Sequence, residues 1–198
     1  MGPYKEREQK VIGKSYNFNG NEFWHKDNSI TLIAEHYLNL IKTRIIELDP
    51  SLKNCKFYVK TDFRKVKPLY SKCNFNVSMW FESAVGEQYI IGFSMEESGN
   101  CCGSVMVYDM ELEVARWQQQ GLGKIMLHMA YDCAVANTAS NMLCINVEGR
   151  NFNKALLQFG FKPIHKFHND NSRHNCELFS MDVLPFEGYD LREIKINK

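Results

Sequence analysis

The residues whose types and spacing could do chemistry lie mainly between positions 105 and 161. A stretch with strand character at 105–114 leads into Arg116-Trp117-Gln118-Gln119-Gln120-Gly121-Leu122-Gly123-Lys124, and a helical pattern starts inside that run. A strand, a turn and a helix start in this order make an anion site, because the first helical turn offers backbone N–H groups that have no acceptor within the helix. Gly121 and Gly123 carry no side chain, so phosphate oxygens can come close to those groups, and Lys124 and Arg116 add positive charge. A Walker loop is excluded, since it needs G-x-x-x-x-G-K-[ST]. A dinucleotide fingerprint is excluded too, because Met126 stands where its third glycine would be.

Strict alternation along 105–114 puts Asp109, Glu111 and Glu113 on one face and Tyr108, Met110, Leu112 and Val114 on the other, which reads as the core face. Three carboxylates on one face repel one another, and that repulsion can raise one pKa far enough for the group to accept a proton near neutral pH. Glu111 and Glu113 are the candidate bases; the alternative is a solvated or lysine-paired face. Tyr108 is a further candidate for the substrate site. His165, His168, His174 and Cys176 form another constellation of good zinc-ligand types, but their H-x2-H-x5-H-x-C spacing is not a common finger pattern. A polar hairpin loop beside a substrate cleft is the plainer reading, and no metal is expected.

Elements must position these groups. Ser29 can cap a helix over 29–48, whose Ala34, Tyr37, Leu38, Ile41, Ile45 and Leu48 recur at three- and four-residue steps, and Asp49-Pro50 ends it. A strand at 56–60 and a short helix at 62–71 follow. Runs at 75–81, 89–95 and 105–114, with turn residues between them, read as an antiparallel meander. Helical period then returns at 121–136, followed by a strand at 142–147, a short helix at 152–159, and strands at 161–167 and 177–183. Residues 1–28 read as an N-terminal arm with one short strand, 29–184 as one domain, and 185–198 as a charged tail.

The chain has 198 residues, enough for a domain with a real core, and is 44% hydrophobic and 24% charged, as soluble globular proteins are. A net charge of +1 gives no global pull toward nucleic acid or acidic lipid. No run of about 18 apolar residues is present, and the first residues lack the apolar segment of a secretory leader. Seven scattered cysteines, including the adjacent pair Cys101-Cys102, read as reduced thiols, and a cytoplasmic location is expected. Lys53, Lys56, Lys60, Arg64, Lys65, Lys67 and Lys72 crowd 51–72, while 73–115 holds acids and no Lys or Arg. These segments either pair with each other or leave an acidic surface for a cationic substrate. A single-stranded nucleic-acid platform, with Phe57, Tyr58, Phe63 and Tyr70 among the lysines, is a further alternative.

Gln118, Gly121 and Gly123 fit Q/R-x-x-G-x-G/A, which resembles the pyrophosphate-binding motif of the GNAT N-acetyltransferase superfamily. The context is similar as well: a strand before the motif, a helix after it, a strand, then a short helix with Asn151 or Asn153 near its start and Gly160-Phe161 opening the next strand. The resemblance covers roughly residues 89–183.

It implies an α/β (α+β) fold with a mixed, mostly antiparallel central sheet and helices on both faces. Two neighbouring parallel strands, 105–114 and 142–147, would splay apart to admit the pantetheine arm of acetyl-CoA. The cofactor-binding residues implied are Leu112, Val114, Gln118, Gln119, Gln120, Gly121, Leu122, Gly123, Lys124, and Asn151 or Asn153. The reaction implied is direct attack by a primary amine on the thioester, with no metal, and the acceptor is a protein lysine or N-terminus, a polyamine or another cationic small molecule. The amine would enter between the first helical region and the final hairpin loop. One departure is that many GNAT enzymes carry a tyrosine, as acid for the leaving thiolate, where this chain has Leu156. An acetyl-CoA-binding protein without turnover is therefore the alternative.

Overall fold

The structure, a computed structural model, describes residues 8–11, 14–17, 27–63, 74–97, 103–112, 117–136, 139–148, 150–170 and 173–183. Helix α1, Asp27–Leu48, buries Ile30, Ile33, Ala34, Tyr37, Ile41 and Ile45, so the apolar stripe read from the sequence is its core face. Asp49 closes it through an N–H bond of 2.7 Å to the Ile45 carbonyl, and Pro50 opens a short 3-10 helix, Pro50–Asn54. In the N-terminal arm, where one strand was expected, β1 (Glu8–Val11) pairs antiparallel with β2 (Lys14–Asn17).

Strand β3, Lys56–Phe63, runs past its expected end. Asp62 and Phe63 do not start a helix; their backbones pair with Asn76 and Phe75 of β4, Asn74–Ser83, and continue the ladder. The remainder of the helix expected at 62–71 lies outside the described residues. Next come β5 (Gly86–Glu97), β6 (Ser104–Leu112), α2 (Leu122–Ala136), β7 (Asn141–Val147), α3 (Asn151–Phe159), β8 (Lys162–Asn169) and β9 (His174–Asp182).

Strands β3 to β9 form one sheet in the order β3-β4-β5-β6-β7-β9-β8, antiparallel except for the parallel pair β6–β7. This is an α+β fold with a mixed, mostly antiparallel sheet and flanking helices, as the resemblance implies. Alternation on β4 separates the two faces: Phe75, Val77, Met79 and Phe81 are buried, while Asn76, Ser78 and Trp80 are half-buried. The first set joins α1, α2 and α3 in one core. Contacts run from α1 to α2 and from α2 to α3, and α2 also packs under β5, β6 and β7. The second face, expected to carry a helix as well, shows polar and aromatic side chains among the described residues. It is called the outer face below. A buried hydrogen bond of 2.6 Å, from the Tyr37 hydroxyl to Asp132 Oδ2, ties α1 to α2.

Candidate active site where the parallel strands part

Strands β6 and β7 pair from Ser104 with Asn141 to Val107 with Cys144, and no further. Strand β6 continues to Leu112 and β7 to Val147, so their last residues flank a gap in the sheet. On the helix side the closed end of that gap is sealed, because Val107 is 0% and Cys144 1% exposed. Burial pushes the Cys144 thiol up to about 12, which makes it an inert core group.

A bulge in β6 overturns the expected face of Tyr108, while Met110 and Leu112 pack against the core as expected. Gly92 pairs with Glu111 and Ser94 with Tyr108, so β6 fits one more residue than β5 into this interval. The alternation phase shifts there. Val107 lies opposite Met95 and Leu112 opposite Ile91, all on the core side, although Val107 and Leu112 are an odd number of residues apart. Tyr108 therefore does not share the face of Met110 and Leu112. It lies beside Ser94 on the outer face, and its hydroxyl donates to Glu96 Oε2 at 3.4 Å. Glu111 has its backbone in β6; Glu113, Val114 and Arg116 lie outside the described residues.

The turn after β6 is anchored at both ends. Trp117 is buried against Phe81, with ring centroids 5.9 Å apart, and Leu122 is buried at the start of α2. Gln118 Nε2 donates to the Leu112 carbonyl at 3.4 Å. Gln119 (φ 61) and Gly121 (φ 87) take left-handed backbone, which glycine adopts without steric cost. The Gly121 carbonyl accepts from the N–H groups of Lys124 (3.1 Å) and Ile125 (3.3 Å), so Gly121 caps the helix. The N–H groups of Leu122 and Gly123 then belong to the first turn and point out of it. Gly123 has a packing reason to be glycine: a Cβ there would lie 3.3 Å from Phe152 Cε2 of α3.

Sequence reading missed Arg44, which fixes this turn from α1. It is 8% exposed, donates Nε–H to the Gln120 carbonyl at 3.1 Å, and pairs with Glu47 at 2.8 Å. In a planar trans peptide the carbonyl and the following N–H point opposite ways. Holding the Gln120 oxygen against α1 therefore turns the Gly121 N–H away from α1. A signal was available, since Arg44 falls in register with the stripe of Tyr37, Ile41 and Ile45, where an exposed arginine would not sit.

Asn151 is exposed at the start of α3. Asn153 is 9% exposed and holds the end of β7: Nδ2 donates to the Val147 carbonyl (3.3 Å) and Glu177 Oε2 (3.4 Å), and Oδ1 accepts from Asn146 Nδ2 (2.5 Å). Leu156 is 0% exposed in the core, so no proton donor stands at that position. His128 on α2 packs edge-on to Phe159, and burial, helped by Lys124, lowers it to about 4. Burial likewise lowers His36 to about 4.

The β8–β9 hairpin does not gather its histidines. His168 pairs with Asn175, and their side chains meet at 3.0 Å, while His174 and Cys176 alternate onto the opposite face. His165 stacks on Phe167. Among the described residues no group of three or more His, Cys, Asp or Glu could hold a metal ion. In the basic stretch, Lys60 is paired with Glu87 at 2.7 Å and lies 4.4 Å above the Trp80 ring; the lysines beyond position 63 lie outside the described residues.

No family model matches the chain, and no curated protein matches it in sequence. Solved structures similar to it include an IAA acetyltransferase from Bacillus cereus, 12% identical, covering 64% of this chain and 99% of that one at a TM-score of 0.49. The ribosomal-protein-S18-alanine N-acetyltransferase of Escherichia coli is 9% identical over 69% of this chain and 100% of that one, with a TM-score of 0.44. Nourseothricin acetyltransferase is 14% identical over 65% and 88%, with a TM-score of 0.45.

Proposed function

We propose that the chain is an acetyl-CoA-dependent N-acetyltransferase of the GNAT type, moving an acetyl group to a primary amine within a ternary complex. One juxtaposition carries this reading: the donor-rich turn 118–124 lies in the connection between α2 and β6, the strand that parts from β7, and Gln118 bonds the Leu112 carbonyl at the end of that strand. The turn receives a diphosphate through the N–H groups of Gly121, Leu122 and Gly123, with Lys124 beside it. The backbone of β6 around Leu112 supplies partners for the pantetheine amides. Bound acetyl-CoA supplies the activated acyl group. The chain's contribution is mainly to hold amine and thioester together, and a β6 N–H stabilises the developing oxyanion. Glu111 or Glu113 removes the proton from the amine. With Leu156 in the core, the thiolate leaves without a side-chain acid there, which its moderate pKa, roughly 8–9, allows.

The test is calorimetric titration with acetyl-CoA, CoA and NADH, followed by thiol-release assays on an amine panel. Micromolar binding of acetyl-CoA without NADH binding supports the reading, and Gly121→Glu should abolish that binding by adding bulk, backbone strain and negative charge. A folded Gly121→Glu protein that binds normally would refute the placement of the diphosphate. The buried Leu156 favours one second reading, an acetyl-CoA-binding protein without turnover. Binding with no thiol release on any amine would select it.

A further inference from the structure

Building on that reading, we infer that the amine acceptor carries an apolar body, and that Ile145 and Leu178 select it. The residues past the last β6–β7 pair flank the gap, and there Tyr108 on β6 stands opposite Ile145 on β7. Cys144 is buried toward the helices, so alternation turns Ile145 onto the outer face, where it is 37% exposed. A single exposed aliphatic residue is ordinary on a protein surface, but a continuous apolar area beside a cleft marks a place where something binds.

Ile145 begins such an area. Across the sheet it pairs with Leu178 of β9, which pairs with His165 of β8. Further along, Val147 pairs with Cys176, and Cys176 with Phe167. Val147, Leu178 and Phe167 are half-buried, and the Phe167 ring stacks on His165 at 8° with centroids 6.3 Å apart. This strip extends about 10 Å from the edge of the gap to β8, two strand spacings. None of these positions carries a carboxylate. Glu177, between Cys176 and Leu178, faces the helices, where its Oε2 accepts from Asn153 Nδ2 at 3.4 Å. Glu96, on the far side of β6, pairs with Met106, where β6 and β7 are still joined. On β4 and β5 the same face is polar, with Asn76, Ser78 and Ser94. A hydrocarbon body laid on the strip takes its own surface and that of Ile145 and Leu178 out of water, whereas a second ammonium there would lose hydration without a partner. The acceptor class is therefore a primary amine on an alkyl or aryl body, not a polyamine.

The experiment measures thiol release from acetyl-CoA with ethylamine, butylamine and hexylamine, and with spermidine as the charged comparison. The three alkylamines have nearly equal basicity, so chain length reports contact with the protein and not nucleophilicity. Wild-type kcat/KM should rise about threefold per added methylene, the order expected for a methylene leaving water, and hexylamine should exceed spermidine. Ile145→Thr and Leu178→Thr should each cut that rise to about twofold or less, so that their losses grow with chain length. Val85→Thr changes an exposed apolar residue in the β4–β5 turn and should keep the wild-type slope. A flat wild-type series, a preference for spermidine, or equal losses on all three alkylamines would each overturn the inference. So would a wild-type dimer that Ile145→Thr dissociates in light scattering, because a second copy would then cover the strip. Calorimetry with acetyl-CoA separates this inference from its parent. If wild type fails to bind acetyl-CoA, the parent reading falls and takes this one with it; binding without turnover of any amine overturns the acceptor assignment and leaves the cofactor site standing.

Discussion

The turn 117–124 and the β8–β9 hairpin both present chemically able groups, and they are built in opposite ways. The turn is held from several directions. Trp117 and Leu122 anchor its ends in the core, Arg44 grips the Gln120 carbonyl from α1, and Phe152 closes over Gly123 from α3. The hairpin is a ladder of two strands whose histidines and cysteine divide between the two faces, with His165, His168 and His174 exposed. Side chains of suitable type therefore do not make a site by nearness in sequence. A site needs other elements to fix the direction of its donors, and the turn has three such elements where the hairpin is held by strand pairing, to itself and to β7, which spreads its side chains over two faces.

The strongest way to break this contrast is to release the clamp. Arg44→Gln should weaken acetyl-CoA binding about tenfold, the order of a charged hydrogen bond. It should leave S-acetyl-pantetheine, which has no diphosphate, unaffected. Equal weakening of both ligands would reduce Arg44 to a packing role. A smaller effect is expected of Gly123→Ala. The added methyl presses on Phe152 but improves helix propensity by up to about 1 kcal/mol, so the melting temperature should change little while acetyl-CoA affinity falls about threefold. Unchanged affinity would show that the first turn tolerates the shift.

The core around the turn should also respond to pH. His36 and His128 have an ordinary value of 6.5 and are lowered to about 4 in the fold. Between those values the unfolded chain binds more protons than the folded one, so their contribution is fully present above about 6.5 and is lost as pH falls toward 4. The urea midpoint should drop across that window, and His36→Leu should flatten the drop. An unaltered profile in that variant would mean that His36 is not held neutral. Least of all should happen in the hairpin. His168→Ala should change stability by less than about 0.5 kcal/mol, and neither zinc nor a chelator should move the melting temperature. A rise of several degrees with zinc would show that the hairpin rearranges into a metal site and would erase the contrast.

Much of this was legible in the sequence because it depends on local rules. The period of Tyr37, Ile41 and Ile45 marked α1, the alternation from Phe75 to Phe81 marked β4, and Gln118, Gly121 and Gly123 marked the turn. What could not be read depends on pairing between distant segments. The β6 bulge appears only when Gly92 and Ser94 are set against Glu111 and Tyr108, and it moves Tyr108 off the core face. Local propensity places Asp62 in a helix, because what holds its backbone extended is the pairing with Asn76 on another strand. Asn153 matched a motif position, yet its amide holds Val147, Asn146 and Glu177.

The bond from Tyr37 to Asp132 joins residues 95 positions apart. At about 5–20 residues per second, a ribosome needs about 5–20 s to make the intervening chain. Until α2 is made, the apolar side of α1 has only the short 3-10 helix and β3 that follow it, and then the growing sheet, to rest on. The nascent chain thus exposes its first large sticky surface well before its partner exists. In a cell this protein should depend on early chaperone contact more than one whose first helix packs against its sequence neighbours alone.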